Sequence, residues 1–192
     1  MKKYDLTGSK TQINLMKAFT GESQARNRYT YFASIAKKEG YEQISDIFLE
    51  TANNEKEHGK IFYKFIQDGQ IEFCTKMPHC YGTTHENLLC AAKGEYEEWN
   101  DLYPCFADVA DQEGFYEISS AFRSIASVEK HHDTRFKKLA QNIFDHTVFK
   151  KNTQVYWKCR NCGFIYLGVN VPEECPTCHH PQAYFEMLCD NF

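Results

Sequence analysis

Glu55-Lys56-Glu57-His58 and Glu129-Lys130-His131-His132 are two copies of Glu-x-x-His set 74 residues apart. Residues three apart on a helix share a face, so each copy aims a carboxylate and an imidazole at one spot. Both copies sit inside apolar helical stripes. The first stripe is Ile44, Phe48, Ala52, Phe62 and Ile66; the second is Ile118, Phe122, Ile125, Phe136, Leu139 and Ile143. A buried ionised carboxylate without a partner is costly or simply stays protonated. A metal cation is the partner these residue types suit.

Two further helical stripes carry acids where core residues belong. Glu22 falls among Leu15, Phe19, Tyr29, Phe32 and Ala36, while Glu95 and Glu98 fall among Leu88, Ala91, Trp99, Leu102 and Phe106. One Glu from each of two helices plus Glu-x-x-His from each of two others is the ligand pattern of ferritin-like di-iron or di-manganese bundles. Glu98 is one acid beyond that minimum.

The chain repeats itself. Phe32-Ala33-Ser34-Ile35-Ala36, Glu39-Gly40, Ile44-Ser45 and Phe48 recur 74 residues later as Phe106-Ala107-Asp108-Val109-Ala110, Glu113-Gly114, Ile118-Ser119 and Phe122. This reads as a duplicated helical hairpin, with Gly40 and Gly114 at the tight turns. The expected helices run from near Lys10 to Lys38, Tyr41 to Gln67, near His85 to Gln112 and Phe115 to His146. Gly21-Glu22 matches Gly94-Glu95 at an offset of 73 rather than 74, so the third helix holds one extra residue. An inserted residue absorbed in a helix makes a π-bulge, here expected between Glu95 and Phe106. Asp68 to Thr84, with Gly69, Pro78 and Gly82, lacks helical period and reads as a crossover along the bundle.

Beyond His146 the pattern changes to short aromatic and β-branched runs at Gln154 to Lys158, Phe164 to Leu167 and Tyr184 to Leu188. Cys159-x-x-Cys162 and Cys175-x-x-Cys178 flank a twelve-residue spacer, a spacing suited to a tetrahedral four-thiolate site for iron or zinc. The expected architecture is therefore mainly α: a ferritin-like four-helix bundle over residues 1–148 and a small β-rich metal module over 149–192.

The chain has 192 residues, 42% of them apolar, enough for a substantial core. A net charge of −4 without a basic block offers nothing to nucleic acid. Met1 to Lys10 has no apolar signal core and no stretch suits a membrane span, so the expected location is the cytoplasm. Nine cysteines, an odd count in a long chain, argue against a disulfide framework. Cys74, Cys80, Cys90, Cys105 and Cys189 read as small buried hydrophobes or free thiols. Cys74, His79, Cys80 and His85 share one loop but have no recurrent ligand spacing.

Taken together, Phe19-Thr20-Gly21-Glu22-Ser23-Gln24-Ala25-Arg26-Asn27-Arg28-Tyr29, Glu55-x-x-His58, Gly94-Glu95-x-x-Glu98, Tyr103-Pro104 and Glu129-x-x-His132 resemble the rubrerythrin family almost end to end. Trp157-Lys158-Cys159-Arg160-Asn161-Cys162-Gly163-Phe164-x-Tyr166 and Cys175-Pro176-Thr177-Cys178 are similar to its rubredoxin-like domain. A residue with positive φ at Gly163 lets backbone N–H groups point at the sulfurs. The departure is His179, where isolated rubredoxins usually have glycine.

The resemblance implies a peroxidase that reduces hydrogen peroxide to water in oxidative-stress defence. Its cofactors would be two non-haem irons held by Glu22, Glu55, His58, Glu95, Glu98, Glu129 and His132, and one iron on Cys159, Cys162, Cys175 and Cys178. Each bundle iron would give one electron as the O–O bond breaks. It further implies that Glu98 and His58 exchange at one iron with oxidation state, and that Tyr29 and Tyr103 donate hydrogen bonds or protons near the carboxylates. Electrons would come from an NAD(P)H-linked reductase or a rubredoxin.

A straight helix from Glu129 to His146 carries the chain roughly 25 Å past the bundle site. At about 3.3 Å per residue the connector from Thr147 to Lys158 is long enough to fold back, but only by lying against its own bundle. A head-to-tail homodimer or larger homo-oligomer, which the family also implies, would more simply bring a partner's cysteine centre closer. Two alternatives remain: a ferritin-like ferroxidase or iron store, and a zinc-ribbon interaction module on a metal-stabilised bundle. A storage cage needs no four-cysteine relay, and a zinc site would be colourless where ferric thiolate is red.

Overall fold

Leu15, Phe32, Phe48, Phe62, Phe122 and Phe136 recur at helical spacing, and all are buried between four long helical segments packed side by side. The computed structural model describes residues 5–66 and 70–189. Helix α1 spans Lys10–Lys38, α2 Glu42–Phe65, α3 Thr84–Glu97, α4 Tyr103–Gln112 and α5 Tyr116–Phe144. Between α3 and α4 the chain makes a π-helical turn over Glu98–Leu102, so the extra residue is absorbed inside the helix as the repeat offset predicts. This turn rotates Leu102 outward, 43% exposed, rather than into the stripe where the sequence put it. Gln67, Asp68 and Gly69, the expected end of the second helix and start of the crossover, lie outside the described residues. Residues 70–83 are irregular and deliver the chain to the start of α3.

The duplication governs how helix ends are satisfied. Gly40 and Gly114 both adopt φ +82°, and Tyr41 and Phe115 each donate a 2.8 Å bond to the carbonyl five residues back, Ala36 or Ala110. The glutamate before each glycine reaches across to the other hairpin. Glu39 accepts from the Thr84 N–H at 3.0 Å, and Glu113 accepts from the N–H groups of Lys10 and Thr11 at 2.9 and 2.8 Å. Each carboxylate thus caps the positive end of a helix of the opposite repeat.

The bundle has two apolar cores. Tyr29, Phe32, Phe48, Leu88 and Phe136 fill the half nearer Gly40; Leu15, Phe62, Tyr103, Phe106 and Phe122 fill the other. Burying each large side chain contributes roughly 1.5–3 kcal/mol, which supports a polar layer left between the two cores.

After α5 come β1 (Lys150–Cys159), β2 (Ile165–Asn170) and β3 (Phe185–Met187) in one antiparallel sheet, ordered β2-β1-β3. Trp157 pairs with Tyr166 on one side and Met187 on the other. Its indole is buried with Cys159, Val171, Cys175 and Phe185, and its Nε1 donates to the Gly168 carbonyl at 2.9 Å. The module folds back onto its own bundle at the Gly40 end. Phe149 stacks on Tyr41 with ring centroids 6.0 Å apart, and Arg160 pairs with Asp46 in the first turns of α2. The cysteine centre therefore lies closer to the bundle interior than a straight continuation of α5 would place it. Along α2, Asp46 is roughly 14 Å from Glu55.

Cys80 and Cys90 correct the reading of the cysteines: they form a disulfide that ties the crossover to α3. Cys80 belongs to an irregular loop whose path no local pattern reveals, so the pairing was invisible in the sequence. It also removes Cys80 from any loop metal site with Cys74, His79 and His85. Cys74, Cys105 and Cys189 are exposed thiols.

Candidate metal centres

In the polar layer the stripes of α1, α2, α3 and α5 each deliver an acid at core depth. Glu22, Glu55, Glu95 and Glu129 are at most 1% exposed, and His58 and His132 are 8% and 2% exposed. The geometry is nearly two-fold. His58 Nδ1 lies 2.8 Å from Glu129, 3.0 Å from Glu55 and 3.7 Å from Glu22. His132 Nδ1 lies 2.8 Å from Glu129, 3.2 Å from Glu55 and 3.7 Å from Glu95. Two overlapping groups result, Glu22, Glu55, His58 and Glu129 in one and Glu55, Glu95, Glu129 and His132 in the other, with donor atoms in each within 4.8 Å of one another. Glu55 and Glu129 belong to both, which is the placement of bridging carboxylates.

The tyrosines complete the symmetry. Tyr103 donates to Glu22 at 2.5 Å, and Tyr29 donates to Glu95. Burial, followed by the charge of the adjacent acids, pushes both phenols well above their ordinary range, so they remain protonated donors.

These residues fit a pair of cations. Inward oxygens of Glu22, Glu55, Glu95 and Glu129 and the Nδ1 of His132 are buried with no hydrogen-bond partner among the described residues. Burial pushes Glu22 and Glu95 well above the usual carboxylate range. It pushes Glu55 the same way, but the close approach of the His132 and His58 imidazoles outweighs it and holds Glu55 at about 2. Burial opposes charge on His132, yet Glu129, Glu55 and Glu95 hold it protonated up to about 12. His58 is shifted upward likewise by Glu129, Glu22 and Glu55. The acids thus demand positive charge at two points, and hard oxygen donors with one imidazole each suit iron there.

Of the seven expected bundle ligands the structure gathers six. Glu98 stands outside both groups: it is half-buried on the π turn, with Oε1 3.4 Å from where a Cβ on Gly21 would stand. Burial raises it too, with Glu22 the largest of the neighbouring charges that add to it. Sequence reasoning missed Asp133. It is 3% exposed and accepts from Trp99 Nε1 at 3.1 Å and Lys137 at 2.9 Å, tying the π turn to α5 beside His132. An acid four residues after Glu129, on the same helix face, was the available signal.

In the C-terminal module the sulfurs of Cys159, Cys162, Cys175 and Cys178 lie within 4.8 Å of one another. The Cys159–Cys178 and Cys162–Cys175 separations are both 3.7 Å, close to the edge of about 3.8 Å in a tetrahedron with 2.3 Å metal–sulfur bonds. Two matching turns hold them. Gly163 (φ +79°) donates to the Cys159 carbonyl at 2.8 Å, and His179 (φ +57°) to that of Cys175 at 2.9 Å. His179 therefore adopts the left-handed shape that the equivalent glycine supplies, at a cost of about 1–2 kcal/mol. The backbone N–H of His180 that points at Cys178 helps draw that thiol down to about 6, because a hydrogen bond donated to the sulfur favours the thiolate.

Residues 14–140 match the family model described as rubrerythrin, and residues 157–186 the model described as rubrerythrin, rubredoxin-like domain. The chain is 56% identical to the rubrerythrin of Clostridium perfringens, over 97% of this chain and 98% of that one. It is 53% identical to rubrerythrin-1 of Clostridium acetobutylicum with the same coverage of both chains. A solved structure of nigerythrin in its fully reduced, all-ferrous state superposes with a TM-score of 0.63 at 29% identity, covering 98% of this chain and 94% of that one. The chain belongs to the rubrerythrin family, iron oxidoreductases with a di-iron site in a ferritin-like bundle and a rubredoxin-like four-cysteine centre.

Proposed function

We propose that this protein is a peroxidase of the cytoplasm, reducing hydrogen peroxide to water in oxidative-stress defence. In this reading Glu22, Glu55, His58, Glu95, Glu129 and His132 hold two irons, Glu98 joins them by exchange with His58, and the four cysteines hold a third. The observation that carries it is the sharing of Glu55 and Glu129 between both histidines inside a buried layer. Two-electron reduction needs two one-electron donors held side by side, and shared carboxylates keep them so. When bound, the paired irons would each supply one electron for O–O cleavage.

The chain's own groups would manage orientation and protons. Tyr103 and Tyr29 stay protonated and fix the Glu22 and Glu95 carboxylates. Asp133 holds the π turn that carries Glu98, whose carboxylate lies where the missing side chain of Gly21 leaves space. The two apolar cores bury the layer on either side, which lowers the local dielectric and strengthens each of these interactions.

Electrons would enter at the four-cysteine centre from an NAD(P)H-linked reductase or a rubredoxin. They would cross to the di-iron site of a second copy in a head-to-tail homodimer or larger assembly. Mixing inactive Cys159→Ser and Glu129→Ala proteins under subunit exchange should restore activity; persistent inactivity after confirmed exchange would rule out transfer between subunits.

The direct test of the reading is Glu129→Ala alone. It should lose the bundle iron and at least ~100-fold in peroxide turnover, while the red ferric-thiolate absorption persists. Normal bundle iron with normal turnover would reject the assignment.

A further inference from the structure

Over the di-iron layer, between α1 and α2, runs a groove of about 300 Å³ lined by Phe19, Ser23 and Arg26 from α1 and by Glu55, Lys56 and Gly59 from α2. Phe19, Ser23 and Arg26 are spaced four and three apart, so they form one wall of a single helix face. Glu55, one of the two shared carboxylates and only 1% exposed, lines it, so the groove reaches the ligand set of the centre. Its rim is cationic: Arg26 and Lys56 are exposed, although Glu57 lies 3.7 Å from the Lys56 ammonium and partly offsets it.

Gly59 is the informative residue. Glycine inside a helix is disfavoured relative to alanine, and nothing in the packing forbids a side chain here. A Cβ at Gly59 would stand 3.4 Å from Glu22 Cβ and 3.7 Å from the Phe19 ring, ordinary contact distances. The fold would accept alanine; what glycine preserves is space on the groove wall between α2 and the Glu22–Phe19 face of α1. Ser23 on the facing wall is also small, and its hydroxyl turns to the Phe19 carbonyl of its own helix at 2.7 Å, away from the groove.

We propose that this groove is the entrance by which a small neutral or anionic oxygen-type ligand reaches the di-iron centre, with Gly59 and Ser23 setting its width and Arg26 its charge preference. Hydrogen peroxide fits in size and polarity; a bulky hydroperoxide does not, and a metal cation is repelled at the rim. The inference rests on iron in the bundle, as in the proposed function, but not on peroxide as the substrate.

The test follows azide, a small anionic probe, binding to the iron-loaded diferric protein by stopped-flow absorbance, with iron content measured in parallel. Close-packed atoms yield little, so Gly59→Val and Ser23→Leu should each slow azide association at least ~10-fold. Gly59→Ala should raise Tm yet slow azide measurably. Arg26→Glu, a surface change, should slow association roughly tenfold at low salt and recover at high salt. Turnover of hydrogen peroxide should fall with the azide rate, and cumene hydroperoxide should be a poor oxidant throughout.

Unchanged azide rates in iron-replete wall variants would overturn the proposal. Should those variants lose iron, an unchanged low-salt rate in Arg26→Glu would overturn it instead. Wild-type protein whose azide rates respond as expected but which turns over no peroxide would refute the peroxidase reading and leave the entrance standing.

Discussion

Tyr103, on the far side of the π turn, donates a 2.5 Å hydrogen bond to Glu22 on the first helix. The two residues are 81 positions apart in the chain, and the bond leaves the other carboxylate oxygen facing the metal layer without a donor. Tyr103→Phe keeps the ring packing against Phe62 and Phe122 but removes that donor. Leaving the buried acceptor unpaired should cost about 1–3 kcal/mol, and iron affinity at the Glu22 side should fall ~10–100-fold. Competition titration with a chelator measures it, and an unchanged affinity would reduce Tyr103 to a packing residue.

Glu113 predicts a pH dependence. Burial alone would raise its carboxyl, but the Thr11 hydroxyl and N–H and the Lys10 N–H outweigh this and lower it. A depressed folded value means that the stabilisation is full above the unfolded pKa of about 4.3 and is lost as pH falls through the folded value. Glu113→Ala should therefore cost ~1 kcal/mol at pH 7, as loss of a helix cap does, with the gap to wild type closing in strong acid. Denaturant unfolding at a series of pH values would check both the size and the sign.

The π turn can be removed by deleting Asn100, an exposed residue within Glu98–Leu102. The matching segment of α1 is uninterrupted helix, so the deletion should give a continuous third helix with Glu95 and Tyr103 still in register. Stability should change by less than ~2 kcal/mol and the bundle iron should remain, because a π turn is a local defect in an otherwise regular ladder. The position of Glu98 should change, and peroxide turnover with it. Loss of the folded bundle on deletion would mean the turn is a structural requirement rather than a device for placing Glu98.

The Cys80–Cys90 bond closes a loop with a sequence separation of 10. Closing a loop of that size stabilises a fold by about 2–3 kcal/mol in the chain-entropy account. Reduction should lower the Tm of the wild type and leave that of Cys80→Ser unmoved, and peptide mass analysis without reductant should recover the linked pair.

Much of this molecule was readable because its signals are short-range. Glu-x-x-His names a helix face within one turn, Cys-x-x-Cys names a metal knuckle, and the change of offset from 73 to 74 located the inserted residue that became the π turn. The helix spans erred by only a residue or two at most ends, as fraying and capping allow. His179 was legible as a departure, but not as a residue that takes its glycine counterpart's conformation.

By itself, the sequence determined which residues could be ligands and on which helix faces they lie, because backbone hydrogen bonding sets a face within three or four positions. Tertiary structure alone decided how those faces meet. It placed Glu55 and Glu129 between both histidines while Glu98 stood apart beside Gly21, paired Cys80 with Cys90, and sent Glu39 and Glu113 to cap the opposite hairpin. It also folded the cysteine module back onto Asp46 and left a groove open at Gly59. Each of these depends on crossing angles and loop paths that bring together residues far apart in the chain, and the packing of two apolar cores around one charged layer is what selects them.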